Sequence, residues 1–257
     1  MEQYAPEVAL FYYGIRGSMD ASSSVARSYL LLGVAWYEKG DQESAIASYT
    51  KAIDTIADYP EAWANRGLSE AMIDNYKDAI RDEDRAIRLN PKDAHAWYFR
   101  GFVYDRQKQY EKAIADYSSA LQVATGDAVK KVILYRRGLA QVKRHKESLA
   151  LKDFNEAINL DQSFAAALFA RATLMQNSGN VADALADYSR VIDLDPRDAE
   201  ARYRRGTIYR KERKDHLAIV DYNHALKIDP RMEKARLGRR YVYLIPILPI
   251  LLVLMLG

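Results

Sequence analysis

Residues 94–127 decide the fold and read AHAWYFRGFVYDRQKQYEKAIADYSSALQVATGD. In the first half, Trp97, Gly101 and Tyr104 follow one another at spacings of four and three residues, which places them on one side of a helix. The second half repeats these spacings with Ala113, Ile114, Tyr117, Ala120 and Leu121. The stretch therefore predicts a helical hairpin in which each helix has an apolar stripe that it cannot bury alone.

The same pattern recurs along most of the chain with a period of 34 residues. Its first small position holds Gly33, Gly67, Gly101, Gly138, Ala172 and Gly206. Its second small position holds Ala45, Ala79, Ala113, Ala150, Ala184 and Ala218. Small residues at both places allow two helix axes to approach closely, so the pattern predicts six similar hairpins.

A 34-residue period with small residues at fixed places resembles the tetratricopeptide repeat (TPR) family. The resemblance covers about 26–232 and implies an all-α, right-handed superhelical solenoid of antiparallel helix hairpins. The implied repeats are 26–59, 60–93, 94–127, 131–164, 165–198 and 199–232. We expect 1–25 to form an N-terminal cap or a degenerate half repeat, and 233–240 to form a basic linker before an apolar tail at 241–257.

Two features of the repeats lead to separate expectations. Repeats two to six carry an Arg directly before the first small position and an Asp before the aromatic position, whereas repeat one has Leu32 and Ser48 there. This joint loss predicts Arg–Asp pairs within each hairpin. The run RDEDR at 81–85 places Glu83 where other repeats carry Tyr or Phe, and we expect a solvated helix face with local ion pairs, or else a functional acidic patch.

Charge and composition exclude several function classes. Residues 1–125 carry 14 Lys+Arg and 19 Asp+Glu, hence −5, and residues 126–257 carry 24 and 16, hence +8. An acidic first half disfavours nucleic acid, and the absence of cysteine excludes disulfides and thiolate chemistry. The scattered histidines and glycines form no metal or phosphate motif, so we expect no cofactor and no enzyme.

Protein binding is the function that the resemblance implies. In the family, the first helix of each hairpin lines a concave groove that holds a segment of a partner. The positions that match the groove are Tyr98, Phe102, Arg106, Tyr135, Arg136, Lys143, Phe169, Tyr203, Arg204, Arg210 and Lys211. Aromatic and basic groups together favour a protein or peptide segment with apolar anchors and acidic residues, although each ring could instead pack between helices.

The C-terminal stretch 241–257 reads YVYLIPILPILLVLMLG and has no charge. It follows Lys234, Arg236, Arg239 and Arg240, which fits the cytoplasmic flank of a membrane anchor. The expected protein is thus an adaptor tethered to a membrane, with its repeats on the cytoplasmic side. The tail could instead fold onto the last hairpin, or be the first part of a longer span. The alternative function is a cytoplasmic co-chaperone or assembly subunit whose apolar tail docks on another protein.

Overall fold

The computed structural model describes residues 21–244, and every regular element in that range is a helix. The chain divides into two compact units, Met1–Asp161 and Gln162–Gly257. The first unit contains α1 (Ala21–Glu38), α2 (Gln42–Thr55), α3 (Pro60–Met72), α4 (Tyr76–Leu89), α5 (Ala94–Arg106), α6 (Tyr110–Val123), α7 (Asp127–Lys143) and α8 (Glu147–Leu160). The second contains α9 (Ala165–Asn177), α10 (Val181–Leu194), α11 (Ala199–Lys211), α12 (Asp215–Ile228) and α13 (Glu233–Leu244).

From α1 to α12, each odd-numbered helix packs against the next helix to form a hairpin, and within each unit consecutive hairpins pack against each other. Helix α13 packs on the last of these hairpins. The predicted all-α hairpin fold is confirmed. Two boundaries differ from those expected: α1 begins at Ala21, within the predicted cap, and α7 begins at Asp127, four residues before the predicted repeat. The three-residue insertion is accommodated at the start of α7, which has 17 residues, whereas α5 has 13. Helix α7 begins directly after Gly126, whose φ is 88°.

The turn inside each hairpin contains one residue with positive φ. In three hairpins of the first unit this residue is Asp74, Lys108 or His145, with φ between 55° and 62°. Gly40 occupies the same position in the first hairpin at φ 81°. A side chain at such a φ crowds the following carbonyl, so the turn imposes a small strain wherever it lacks glycine.

The predicted Arg–Asp pairs are present in the five hairpins that carry both residues, those of repeats two to six. Arg137 Nε donates to Asp153 Oδ2 at 2.8 Å, and its Nη2 donates to Asp153 Oδ1 at 2.7 Å. The same two-bond geometry joins Arg66 to Asp82, Arg100 to Asp116, Arg171 to Asp187 and Arg205 to Asp221. Each pair therefore fixes one first helix to its own second helix at a buried carboxylate.

Four of these arginines also reach the preceding hairpin, a contact that the sequence did not predict. The third guanidinium nitrogen, Nη1, donates to a side chain on the previous second helix. The acceptors are Thr50 for Arg66 at 3.1 Å, Asp84 for Arg100 at 2.7 Å, Ser118 for Arg137 at 3.0 Å and Ser189 for Arg205 at 3.0 Å. One side chain thus connects three helices.

Helix α13 extends beyond the predicted sixth repeat. It includes the whole of the predicted basic linker and the first four residues of the apolar tail, and it packs on α12 and α11. The rest of the predicted membrane anchor, 245–257, lies outside the described residues. Between residues 21 and 244, no helix is both long enough and apolar enough to cross a bilayer.

The Arg137–Asp153 pair gives the first prediction. Arg137→Met should lower the free energy of unfolding by about 2–4 kcal/mol, because it leaves a buried carboxylate without its counter-charge. The double variant Arg137→Met/Asp153→Leu should recover most of that loss. Urea denaturation of the three proteins measures the effect, and a double variant less stable than the single one would contradict this account.

The turn residues give the second prediction. Lys108→Gly should raise the free energy of unfolding by about 0.5–1 kcal/mol, because glycine adopts positive φ without crowding. The matched control is Lys112→Gly, an exposed site inside α6, which should lower it by about 1 kcal/mol. Thermal denaturation measures both, and destabilisation by Lys108→Gly would refute the strain.

Candidate partner-binding surface

The predicted aromatic series lies at one position of four first helices. Each ring contacts a ring on the second helix of its own hairpin. The pairs and their centroid separations are Tyr98–Tyr117 at 5.7 Å, Tyr135–Phe154 at 6.3 Å, Phe169–Tyr188 at 5.5 Å and Tyr203–Tyr222 at 6.1 Å. These rings therefore have a structural role in the hairpins, whatever part of them a partner also contacts.

Two of the predicted groove residues are buried. Tyr98 is 1% exposed, and its ring contacts the rings of Phe99 and Tyr117. Phe102 is 6% exposed, and the Arg136 guanidinium lies over its ring. This corrects the expectation that they present their rings to a partner. Tyr135, by contrast, remains half-buried.

In the first unit, the structure brings three of the predicted residues together. The Arg136 guanidinium lies over the Phe102 ring at 5.7 Å and over the Tyr135 ring at 5.9 Å. Arg136 is half-buried, and Lys143 at the end of the same helix is exposed. A cation supported by two rings is held in place while part of its surface remains accessible.

Arg106 lies apart from this group. Its side chain is exposed and its Nη2 approaches Asp74 Oδ1 at 3.4 Å, at the turn of the preceding hairpin. An exposed pair at this distance contributes little to stability, so Arg106 can exchange its partner at small cost.

In the second unit, Tyr203 and Arg204 belong to a charged cluster. The Lys234 ammonium lies 5.0 Å from the Tyr203 ring centroid, and Glu200 accepts from Arg204 Nε at 2.8 Å and from Lys234. Burial of the Glu200 carboxyl would raise its pKa, but the hydrogen bonds from Lys234 and Arg204 outweigh burial, and the pKa is lowered. Phe169 is half-buried in the hairpin formed by α9 and α10.

A basic pocket of about 340 Å³ lies at the turn between α11 and α12. Its lining residues are Arg210, Lys211, Arg213, Asp215 and Tyr241. The Arg210 guanidinium lies 4.9 Å from the centroid of the Tyr241 ring. The sequence analysis included Arg210 and Lys211 among the groove residues, but not Arg213 or Tyr241. The 34-residue register would have found Tyr241, since it predicts a further first helix after Pro230.

Glu83 is an exception to the apolar interior. It stands where Tyr117 and its equivalents stand in other hairpins, and it is fully buried, as is Asp82. The expectation of a solvated face over 81–85 is therefore wrong at these two residues, because the second helix turns them inward. Asp82 binds Arg66, whereas neither carboxylate oxygen of Glu83 has a hydrogen-bond partner among residues 21–244.

The environment of Glu83 favours its neutral form. Burial raises its pKa well above the usual value, and the nearby carboxylates of Asp93, Asp82 and Asp84 raise it further, against a smaller lowering by Arg100.

Along the described chain, no three His, Cys, Asp or Glu side chains are grouped as the ligands of a metal ion would be.

Comparison with known families agrees with the repeat pattern. Three sequence models described as "Tetratricopeptide repeat" match residues 26–59, 94–124 and 169–233, together about half of the chain. A model described as "Protein prenyltransferase alpha subunit repeat" matches residues 76–107, from α4 to just beyond α5.

Curated relatives match only part of the chain. It is 26% identical over 112 residues to "Protein SGT1 homolog" of Bos taurus, covering 44% of this chain and 32% of the relative. It is 27% identical over 123 residues to "Small glutamine-rich tetratricopeptide repeat-containing protein 2" of Saccharomyces cerevisiae, covering 48% and 32%. The chain thus spans about a third of the length of these relatives.

Solved structures resemble the fold over a larger share. The crystal structure of YrrB, "a TPR protein with an unusual peptide-binding site", has a TM-score of 0.62 at 24% identity, covering 75% of this chain and 97% of that one. The pilF structure from Pseudomonas aeruginosa has a TM-score of 0.77 at 16% identity, covering 86% and 100%. At these identities the likeness establishes the fold alone.

The buried Glu83 carboxyl gives a pH-dependent prediction. The pKa of Glu83 is raised in the folded state. The contribution of this carboxyl to stability is therefore fully present below its unfolded pKa of 4.5, and it is lost as the pH rises through the folded pKa. Glu83→Gln should therefore stabilise the protein more at about pH 7.5 than at about pH 5. Urea denaturation at both values measures this. Exposed Glu156→Gln is the control, and an equal pH dependence in both variants would contradict the assignment.

Proposed function

The chain belongs to the tetratricopeptide repeat family, and we propose that it is a protein-interaction scaffold whose first helices hold a segment of a partner protein. The observation that carries the proposal is the Arg136 guanidinium supported by the Phe102 and Tyr135 rings. Such a group offers an oriented positive charge beside apolar surface, and arginine and tyrosine are the side chains that most often dominate protein interfaces.

The proposed contact residues form two sets, one in each unit. In the first unit they are Arg106, Tyr135, Arg136 and Lys143, and in the second they are Phe169, Tyr203, Arg204, Arg210 and Lys211. Basic groups predominate in both sets, so the partner segment that fits them carries acidic residues next to apolar anchors. The similarity in fold to YrrB, a TPR protein with a peptide-binding site, supports a peptide segment as the ligand.

The C-terminal tail fits the role of an apolar docking segment better than that of a membrane anchor. Val242, inside the predicted anchor, is 4% exposed and packs in the cluster around Tyr222. Residues 241–244, the part of the predicted anchor that the structure describes, belong to α13, which packs on α12 and α11. We therefore favour an assembly or co-chaperone subunit over a membrane-tethered adaptor, and a role without catalysis.

Site-specific cross-linking tests which helices contact the partner. A photoreactive residue at Lys143, on a first helix, should capture a partner protein from cell extract, whereas the same residue at the exposed Lys152, on the second helix of that hairpin, should not. The captured protein is then produced and titrated against variants. Capture at Lys152 alone would place the binding surface on the second helices and overturn the proposal.

The titration has a quantitative expectation. Tyr135→Ala and Phe169→Ala should each weaken binding by about 1–3 kcal/mol, because both remove an aromatic anchor. Arg136→Ala should act mainly on the association rate, with an effect that shrinks at high salt. Circular dichroism separates binding from folding, and Ala113→Leu is the control that should lose thermal stability first because it separates α5 from α6. Unchanged affinity in both aromatic variants would contradict the proposal.

A further inference from the structure

Helix α13 occupies the position of the first helix of a seventh hairpin. It begins 34 residues after α11 and packs on α12 as α11 packs on α10. Ala235 and Val242 are buried in α13, and in the same register Ala201 and Ile208 are buried in α11. The inner face of α13 is therefore that of an ordinary repeat.

Within residues 21–244, no second helix lies on the opposite face of α13. In α11 this side is covered by α12, where Tyr203 contacts Tyr222 at 6.1 Å and Tyr209 packs in the same cluster. The equivalent residues in α13 are Leu237, 63% exposed, and Tyr243, 54% exposed. Up to residue 244, where the described chain ends, no helix follows to cover them.

Arg239 retains the orientation that binds an aspartate in the other hairpins. Arg205 uses Nε and Nη2 to hold Asp221, both at 2.8 Å, while its Nη1 reaches the preceding hairpin. Arg239 makes the equivalent backward contact, Nη1 to Asn223 Oδ1 at 2.9 Å. Within residues 21–244, no carboxylate forms an ion pair with its other edge, and the residue in register with Asp221 is Met255.

The surroundings of this face are strongly basic. Arg240 is exposed at the position of Gly206, so a second helix cannot approach α13 as closely as α12 approaches α11. Tyr241 is also exposed, and it lines the basic pocket together with Arg210, Lys211 and Arg213. Excess positive charge beside exposed apolar side chains is complementary to an acidic amphipathic helix.

We propose that the face of α13 formed by Leu237, Arg239, Arg240 and Tyr243 docks an acidic amphipathic helix of a partner protein. An aspartate of that helix accepts from Arg239 Nε and Nη2, and its apolar side chains cover Leu237 and Tyr243. A small residue beside the aspartate leaves room for Arg240. None of these four residues belongs to the contact sets of the proposed function, although Arg210 and Lys211 lie in the neighbouring basic pocket. The test rests on Arg239 and does not depend on the test of those sets.

A peptide built from α12 is the probe. It has the sequence of residues 215–228 with Tyr222→Ala, which retains the aspartate and makes room for Arg240. Binding to the full chain is measured by fluorescence anisotropy. A second peptide that also carries Asp221→Asn should bind about tenfold more weakly, because it loses charge-assisted hydrogen bonds.

Variants of the protein localise the contact. Arg239→Gln should weaken the first peptide about tenfold and abolish the difference between the two peptides. Arg239→Lys retains the charge without the paired donors and should weaken it nearly as much. Arg197→Gln removes the same charge from an exposed site outside α13 and should leave binding unchanged.

Four results would overturn the proposal. They are no binding of the first peptide up to about 1 mM, an equal effect of Arg197→Gln, binding only after removal of residues 245–257, and self-association of the chain that Leu237→Asp abolishes. The third would show that the chain's own tail covers the face, and the fourth that a second copy does. Circular dichroism of every variant confirms that the helices are intact.

Discussion

The close approach of two helices at one small residue is the constraint on which each hairpin depends. At Gly138, an added Cβ would lie 2.6 Å from Phe154 Cε1, inside van der Waals contact. The ring of the second helix can lie against the first helix only because that position lacks a side chain. The Arg–Asp pair beside it then fixes the two helices against sliding, since its two parallel hydrogen bonds require one orientation.

The period of the small residues was sufficient to predict the hairpins and, through joint loss in repeat one, the Arg–Asp pairs. It was not sufficient to predict exposure within a first helix. Tyr98 and Tyr135 share a position, yet Tyr98 is buried and Tyr135 is half-buried. The difference depends on neighbouring side chains such as Phe99, which is 2% exposed and lies at the Tyr98 ring. Contacts of this kind follow from packing between helices and leave no periodic signal.

Two departures from the repeat pattern have opposite physical consequences. At Glu83, a carboxyl replaces a ring in the interior, and the protein accommodates it by favouring the neutral form. At Arg240, a charged side chain replaces glycine on an outer face, where water solvates it and a close second helix is prevented. Glu83 is fully buried and offers no surface to a partner, whereas Arg240 limits how closely a partner helix can approach α13.

The third nitrogen of Arg66, Arg100, Arg137 and Arg205 has a consequence for unfolding. Because Arg66 Nη1 reaches Thr50 and Arg100 Nη1 reaches Asp84, opening one hairpin also breaks a polar contact of the hairpin before it. Each such contact is lost when either of its two hairpins opens, so it couples neighbouring hairpins equally in both directions. Nearest-neighbour terms of this type make a linear array melt in cooperative blocks rather than one repeat at a time. The first hairpin, which has Leu32 where the others have arginine, receives such a contact but gives none.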